Sequence, residues 1–128
     1  MNLLLDSHVF IWSYDEQHKL SPTALRAMSD SSNTLFLSVA SAWEIQIKII
    51  IGKIKLKNSL ADVIAEQQKI NGLQLLPVEL SHALHLENLP LHHKDPFDRL
   101  LISQATFENM ALVSADANFA NYQINLLW

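Results

Sequence analysis

The chain contains no cysteine. That absence removes disulfides, thiolate zinc sites, iron–sulfur clusters and a cysteine nucleophile together. Glycine is nearly as scarce: Gly52 and Gly72 are the only two, too few for the glycine-rich loops with which P-loop and dinucleotide-binding folds cradle phosphates. Charged residues make up only 17% of the chain, and nine basic side chains face thirteen acidic ones, for a net charge of −4. A protein of that sign does not hold a polyanion by bulk electrostatics, so a polyanionic partner requires a cation between the two. No apolar run reaches the length of a membrane span, and no basic segment precedes an apolar stretch at the start of the chain. These absences predict a protein that is neither exported nor membrane-bound and that works in the cytoplasm. Fixed-period repeats and Pro/Ser/Gly-rich linkers are also missing.

What is present is a 128-residue chain, 49% hydrophobic, enough for one core and too hydrophobic to stay disordered. Residues 1–128 are expected to form a single domain. Five short apolar runs read as strands, at residues 1–5, 34–38, 73–78, 111–114 and 123–128. Between them lie helical segments with recognisable starts and stops. Ser7 can cap a helix through residue 12, and Ser21-Pro22 opens one that runs to about residue 29. Residues 40–50 form a helix with Gly52 suited to its end, Ser59 caps another that Asn71-Gly72 closes, and residues 81–87 make a short one. Asp95 is the cap, and Pro96 the first residue, of a helix that runs to about residue 109. Strands that alternate with helices predict an α/β sandwich, because parallel neighbours need helical crossovers; the sheet is expected to be mostly parallel with about five strands.

In such sheets the working crevice lies beyond the carboxyl ends of the strands. Four acids fall at strand ends or early in the helix that follows: Asp6, Glu44, Asp98 and Asp116. Each also has a structural reading. Asp6 can cap a turn, Glu44 can pair with Lys48 at helical spacing, Asp98 can favour a helix N-terminus, and Asp116 can form an Asx turn. Glu44 resists that reading most, because it interrupts an apolar stretch where an uncompensated charge is costly. Carboxylates gathered in one pocket repel and raise one another's pKa, and a divalent cation is the natural compensator. Hard oxygen ligands without cysteine select Mg²⁺ or Mn²⁺. Such ions suit in-line displacement at phosphorus, one lowering the pKa of an attacking water and a second neutralising the leaving oxygen.

The segments Leu4-Leu5-Asp6-Ser7-His8, Ser38-Val39-Ala40-Ser41-Ala42-Trp43-Glu44-Ile45, Asp95-Pro96-Phe97-Asp98-Arg99-Leu100-Leu101-Ile102 and Leu112-Val113-Ser114-Ala115-Asp116 follow one another across nearly the whole chain. Together they resemble the PIN-domain ribonucleases and, within them, the VapC-like toxins of bacterial toxin–antitoxin pairs. The resemblance implies a three-layer PIN-like sandwich and an endoribonuclease that hydrolyses RNA. It also implies that Asp6, Glu44, Asp98 and Asp116 bind Mg²⁺ or Mn²⁺, and that a homodimer is held inactive by a cognate antitoxin. Asn118 is a second candidate for the duty of Asp116, and Asp95 matches a helix cap rather than the third acid.

Supporting roles fall to the neighbours of these acids. Ser7 and Ser114 can orient a ligand or cap backbone amides. His93 and Arg99 are candidates for contact with phosphate, although Arg99 also suits a surface ion pair. His82 with His85, and the pair His92-His93, lack the pattern of a zinc site. Lys48, Lys53, Lys55 and Lys57 form the one basic stretch, which suits either steering of RNA or a solvated face. Residues 47–56 and 12–14 are candidate dimer or antitoxin surfaces, with core packing as the competing assignment. Two other classes compete with the nuclease. A receiver-type phosphoacceptor module needs an aspartate after the third strand, where this chain has Pro77-Val78-Glu79. A catalytically inactive domain of the same fold has no use for an intact acidic quartet.

Overall fold

Leu3, Leu4 and Leu5 are all fully buried in strand β1 (Asn2–Leu5). A strand with no polar alternation must be covered on both faces, and only a layer on each side achieves this. The computed structural model, which describes residues 1–128, has that arrangement. β1 pairs with β2 (Thr34–Ser38) on one side and β4 (Ala111–Val113) on the other. β3 (Gln74–Leu76) lies outside β2, and β5 (Leu126–Leu127) lies outside β4. The order is β3-β2-β1-β4-β5 and every pair is parallel, so the sheet expected to be mostly parallel is wholly so.

Parallel pairing requires crossovers. They are α1 (Ser7–Asp15) and α2 (Pro22–Ser29) after β1, α3 (Val39–Ile50) and α4 (Leu60–Asn71) after β2, and α5 (Leu80–His85) and α6 (Pro96–Phe107) after β3. The two cores follow the strand alternation. Leu3 and Leu5 pack with Val9, Phe10, Leu37 and Ile45 on one face, while Leu4 packs with Leu101, Ile102, Leu112 and Phe119 on the other. The result is the expected three-layer α/β sandwich.

Several boundaries differ from the sequence reading, each for a local reason. β3 stops at Leu76, because Pro77 has no N–H to continue the ladder. α1 runs on to Asp15, since Trp12 and Tyr14 pack against the core instead of ending the helix. α6 ends at Phe107, and Asn109 takes the left-handed turn at φ 54°. β5 keeps only two residues of the expected terminal run. His82 is fully buried; its Nδ1 accepts the Glu79 N–H at 2.9 Å and its Nε2 meets Glu108 at 2.8 Å, which makes it a core residue. Within residues 47–56, Ile49 and Leu56 pack on the core, whereas Ile50 and Ile51 are exposed. No helix is long and apolar enough to cross a membrane.

From central β1 the chain first builds outward through β2 and β3, then crosses back to β4 on the other side. The connections leaving β1 and β4 therefore diverge at their carboxyl ends, which creates the crevice of a parallel sheet.

Candidate active site

Asp6 ends β1 at that divergence, and it is buried. One carboxylate oxygen caps α1 by accepting the Val9 N–H at 2.8 Å, and the other accepts the Ser114 hydroxyl from beyond β4. The same Ser114 Oγ accepts the Asp116 N–H at 3.0 Å, so one hydroxyl ties the ends of β1 and β4 together. Burial pushes the Asp6 carboxyl above the usual aspartate range, and these hydrogen bonds only partly offset it.

Glu44 arrives from α3, whose start is set by Ser38: its hydroxyl accepts the Ala40 N–H at 3.1 Å. One turn further on, Glu44 is buried on the face turned to α1, where Ser7 Oγ donates to Oε1 at 2.6 Å. Lys48, one turn later, reaches Oε2 at 3.4 Å. The apolar stretch around Glu44 thus holds its charge through a hydroxyl and one cation, consistent with the rule that buried charge is paired and hydrogen-bonded.

Asp98 lies in the first turn of α6, which Asp95 caps by accepting the Phe97 and Asp98 N–H groups at 2.8 and 3.2 Å. Its carboxyl is pushed up to about 7 by burial first, then by the charge of Asp95, with Glu44 and Asp6 adding to the rise and His93 opposing it. Asp116 follows β4 and accepts the Asn118 N–H at 2.9 Å. Both Asp98 and Asp116 face His93, whose Nε2 lies 3.0 Å from Asp98 Oδ2 and 3.4 Å from Asp116 Oδ2.

Asp6, Glu44, Asp98 and Asp116 line one crevice of about 120 Å³, joined by Asp95, Ser7, Lys48 and His8. Three neighbours named with the acids have partners that only the fold reveals. The guanidinium of Arg99 is not turned to the crevice as a phosphate contact; it donates to the carbonyls of Pro90 at 2.9 Å and of Leu89 and His93 at 3.4 Å, which leaves it holding a loop. His93 donates its Nε2–H to Asp116 and lies 3.0 Å from Asp98. Asn118 meets Asp116 through its backbone, and its side chain does not line the crevice. His8 was not singled out from sequence, although its place directly after Asp6-Ser7 was the available signal.

Five carboxylates around one small crevice, with Lys48 as the one lysine there, leave negative charge uncompensated. The donors are hard oxygens, and the Asp6 and Asp98 carboxyls are raised by burial first and by neighbouring carboxylates second. The residues therefore fit a divalent cation of the magnesium or manganese type.

Comparison with known proteins places the fold. Over 98% of this chain and 97% of the other, the fold superposes at a TM-score of 0.75 and 16% identity on VapBC2 from Rickettsia felis bound to a DNA fragment from its promoter. FitAcB from Neisseria gonorrhoeae matches over 97% of this chain and 95% of the other at a TM-score of 0.62 and 15% identity. VapBC-5 from Mycobacterium tuberculosis, a member of the VapBC family of toxin–antitoxin systems, matches over 98% and 94% at 0.60 and 14%. At these identities the likeness is one of fold. No curated protein sequence matches the chain. The family model of the PIN domain, in contrast, spans residues 3–125, from β1 to the threshold of β5, and the chain accordingly belongs to the PIN-domain family.

Proposed function

We propose that this protein is a metal-dependent endoribonuclease and the toxin of a toxin–antitoxin pair. The observation that carries the reading is the convergence of Asp6, Glu44, Asp98 and Asp116, from four separate elements, on one crevice at the carboxyl ends of β1 and β4. Membership of the PIN family supports a hydrolase acting on nucleic acid. Similarity in fold to toxin–antitoxin complexes supports a cognate antitoxin as partner. The four carboxylates would hold Mg²⁺ or Mn²⁺. When bound, such an ion supplies a lower pKa for an attacking water and neutralises charge at the phosphate.

This chain's own residues do the positioning. Ser7 and Ser114 fix one oxygen each of Glu44 and Asp6, leaving their remaining lone pairs for the crevice. Lys48 adds a positive charge at the rim that favours approach of phosphate. With a net charge of −4, the protein depends on the cation to grip a polyanion. Residues 1–128 act as one unit in this reading, as a homodimer in the cytoplasm. The exposed apolar side chains of α3, Val39, Trp43 and Ile50, support a second copy as their cover.

The test is incubation of the purified protein with end-labelled single-stranded RNA and with DNA of the same sequence, with Mg²⁺, with Mn²⁺ and with EDTA. Cleavage of RNA that needs the ion and is lost in Asp98→Asn is the expected result. An intact RNA strand under ion concentrations that raise the melting temperature would overturn the reading, and would leave a binding domain of the same fold.

A further inference from the structure

We propose that His93 is a positioning residue: its ring, donating an N–H to Asp116 and lying against Asp98, holds the two carboxylates side by side in the crevice and thereby raises the affinity of the crevice for a divalent cation. The inference rests on the metal-dependent reading above and adds to it a residue that a search for acids does not find.

The hydrogen bonds decide which ring nitrogen carries the proton. His93 Nδ1 faces the Asp95 N–H at 3.3 Å. A backbone amide only donates, so Nδ1 accepts and the proton sits on Nε2. That nitrogen donates to Asp116 Oδ2 at 3.4 Å and lies 3.0 Å from Asp98 Oδ2. The three ligand-type atoms lie within 4.8 Å of one another. A nitrogen that bears a proton does not coordinate a metal, and the geometry therefore makes His93 a donor to Asp116 in close contact with Asp98 instead of a third ligand. It faces one oxygen of each, and of the two remaining oxygens Asp116 Oδ1 accepts the Asn118 N–H at 2.9 Å.

The ring is well placed to act as a fixed donor. The His93 backbone N–H donates to the Tyr122 hydroxyl at 2.8 Å, and Tyr122 in turn donates to the Pro90 carbonyl at 2.9 Å. Arg99 binds the carbonyls of Pro90, His93 and Leu89, so the loop that carries the ring is anchored at several points. The ring leans on Phe119 at a centroid distance of 5.7 Å, and only 13% of the side chain is exposed. Without the ring N–H, two carboxylates held this close repel and turn apart toward solvent. Partners of this kind, bound to the ligands and not to the metal, are commonly worth 10- to 100-fold in affinity.

The test compares two variants of similar size: His93→Gln, which keeps an N–H donor, and His93→Met, which has none. Mn²⁺ binding is measured from the electron paramagnetic resonance signal of the free ion, with no nucleic acid present. His93→Met is expected to weaken binding by about 10- to 100-fold, and His93→Gln to stay within about threefold of wild type, since it restores the donor. Pulsed spectra of bound Mn²⁺ in the wild-type protein should show no coupling to a directly coordinated nitrogen. Equal binding by all three proteins, equal weakening in both variants, or a coordinated nitrogen in the wild type would overturn the proposal while leaving the metal site intact. Failure of the wild type to bind Mn²⁺ at all would overturn the metal-dependent reading and this inference together.

Discussion

The crevice has two halves that settle their charge by different means. Asp6 and Glu44 are buried, and each receives a serine hydroxyl, from Ser114 and Ser7. Asp98 and Asp116 are half-buried and both face Nε2 of His93, which donates its N–H to Asp116 and lies 3.0 Å from Asp98. A carboxylate out of reach of water must find its hydrogen bonds in the protein, whereas a half-exposed one is still solvated. The first half is therefore fixed by the packing of β1, α1, α3 and β4. The second depends on one ring carried by a connecting loop. At Asp98, burial and the surrounding acids both work against the charge.

The largest effect expected is on catalysis, and it tests whether the halves serve one purpose. Asp6→Asn and Asp98→Asn, one from each half, should each lower RNA cleavage on the order of 10³-fold, read in single-turnover assays on labelled RNA. Similar losses indicate a shared site; a variant of one half that keeps most activity would show that the halves work separately. In the same proteins, Mg²⁺ should raise the melting temperature of wild type more than that of either variant.

Next in size is the cost of removing a serine. Ser7→Ala leaves buried Glu44 without its hydroxyl donor and should destabilise the metal-free protein by about 1–3 kcal/mol in urea unfolding. Asp116→Asn, in the more exposed half, should change stability by less than about 0.5 kcal/mol. A reversal of that order would remove the distinction between the halves.

The pH dependence sharpens it further. The Asp98 carboxyl is raised from 3.8 to about 7 in the folded protein. Across that window the folded state keeps a proton that the unfolded chain has released, so the metal-free protein should lose stability as pH rises from about 4 to about 7 and level off above. The raised Asp6 carboxyl acts in the same direction. Asp98→Asn should flatten the slope and leave the metal-free protein at least as stable as wild type near neutral pH, as followed by thermal unfolding across buffers. The smallest effect is expected from Arg99→Lys. A lysine cannot reach several carbonyls at once, and the His93 amide should exchange its hydrogen faster while the fold is retained.

The elements were largely readable because their causes are local. Ser21, Ser59 and Asp95 cap helices as their positions suggested, and their side-chain oxygens accept the Ala24, Asp62 and Phe97 N–H groups. The missed ends also have local causes, such as Pro77 cutting β3 short. The four acids were readable because strand ends in a parallel sheet converge on one crevice. The partners of Arg99 and His93 were not readable, for a different reason. Proximity to Asp98 in sequence suggested a role at the phosphate, but α6 turns Arg99 away to the loop carbonyls. His93 is swung against Asp116, 23 residues later in the chain.

The sequence by itself determined the layering, the helix starts, the absence of thiol and glycine-loop chemistry, and which acids stand at strand ends. These follow from residue type and short-range periodicity. Only the tertiary structure decided how the acids are satisfied. Ser7 meets Glu44 across 37 residues and Ser114 meets Asp6 across 108, and such pairs form only when packing of the two cores brings distant segments into register.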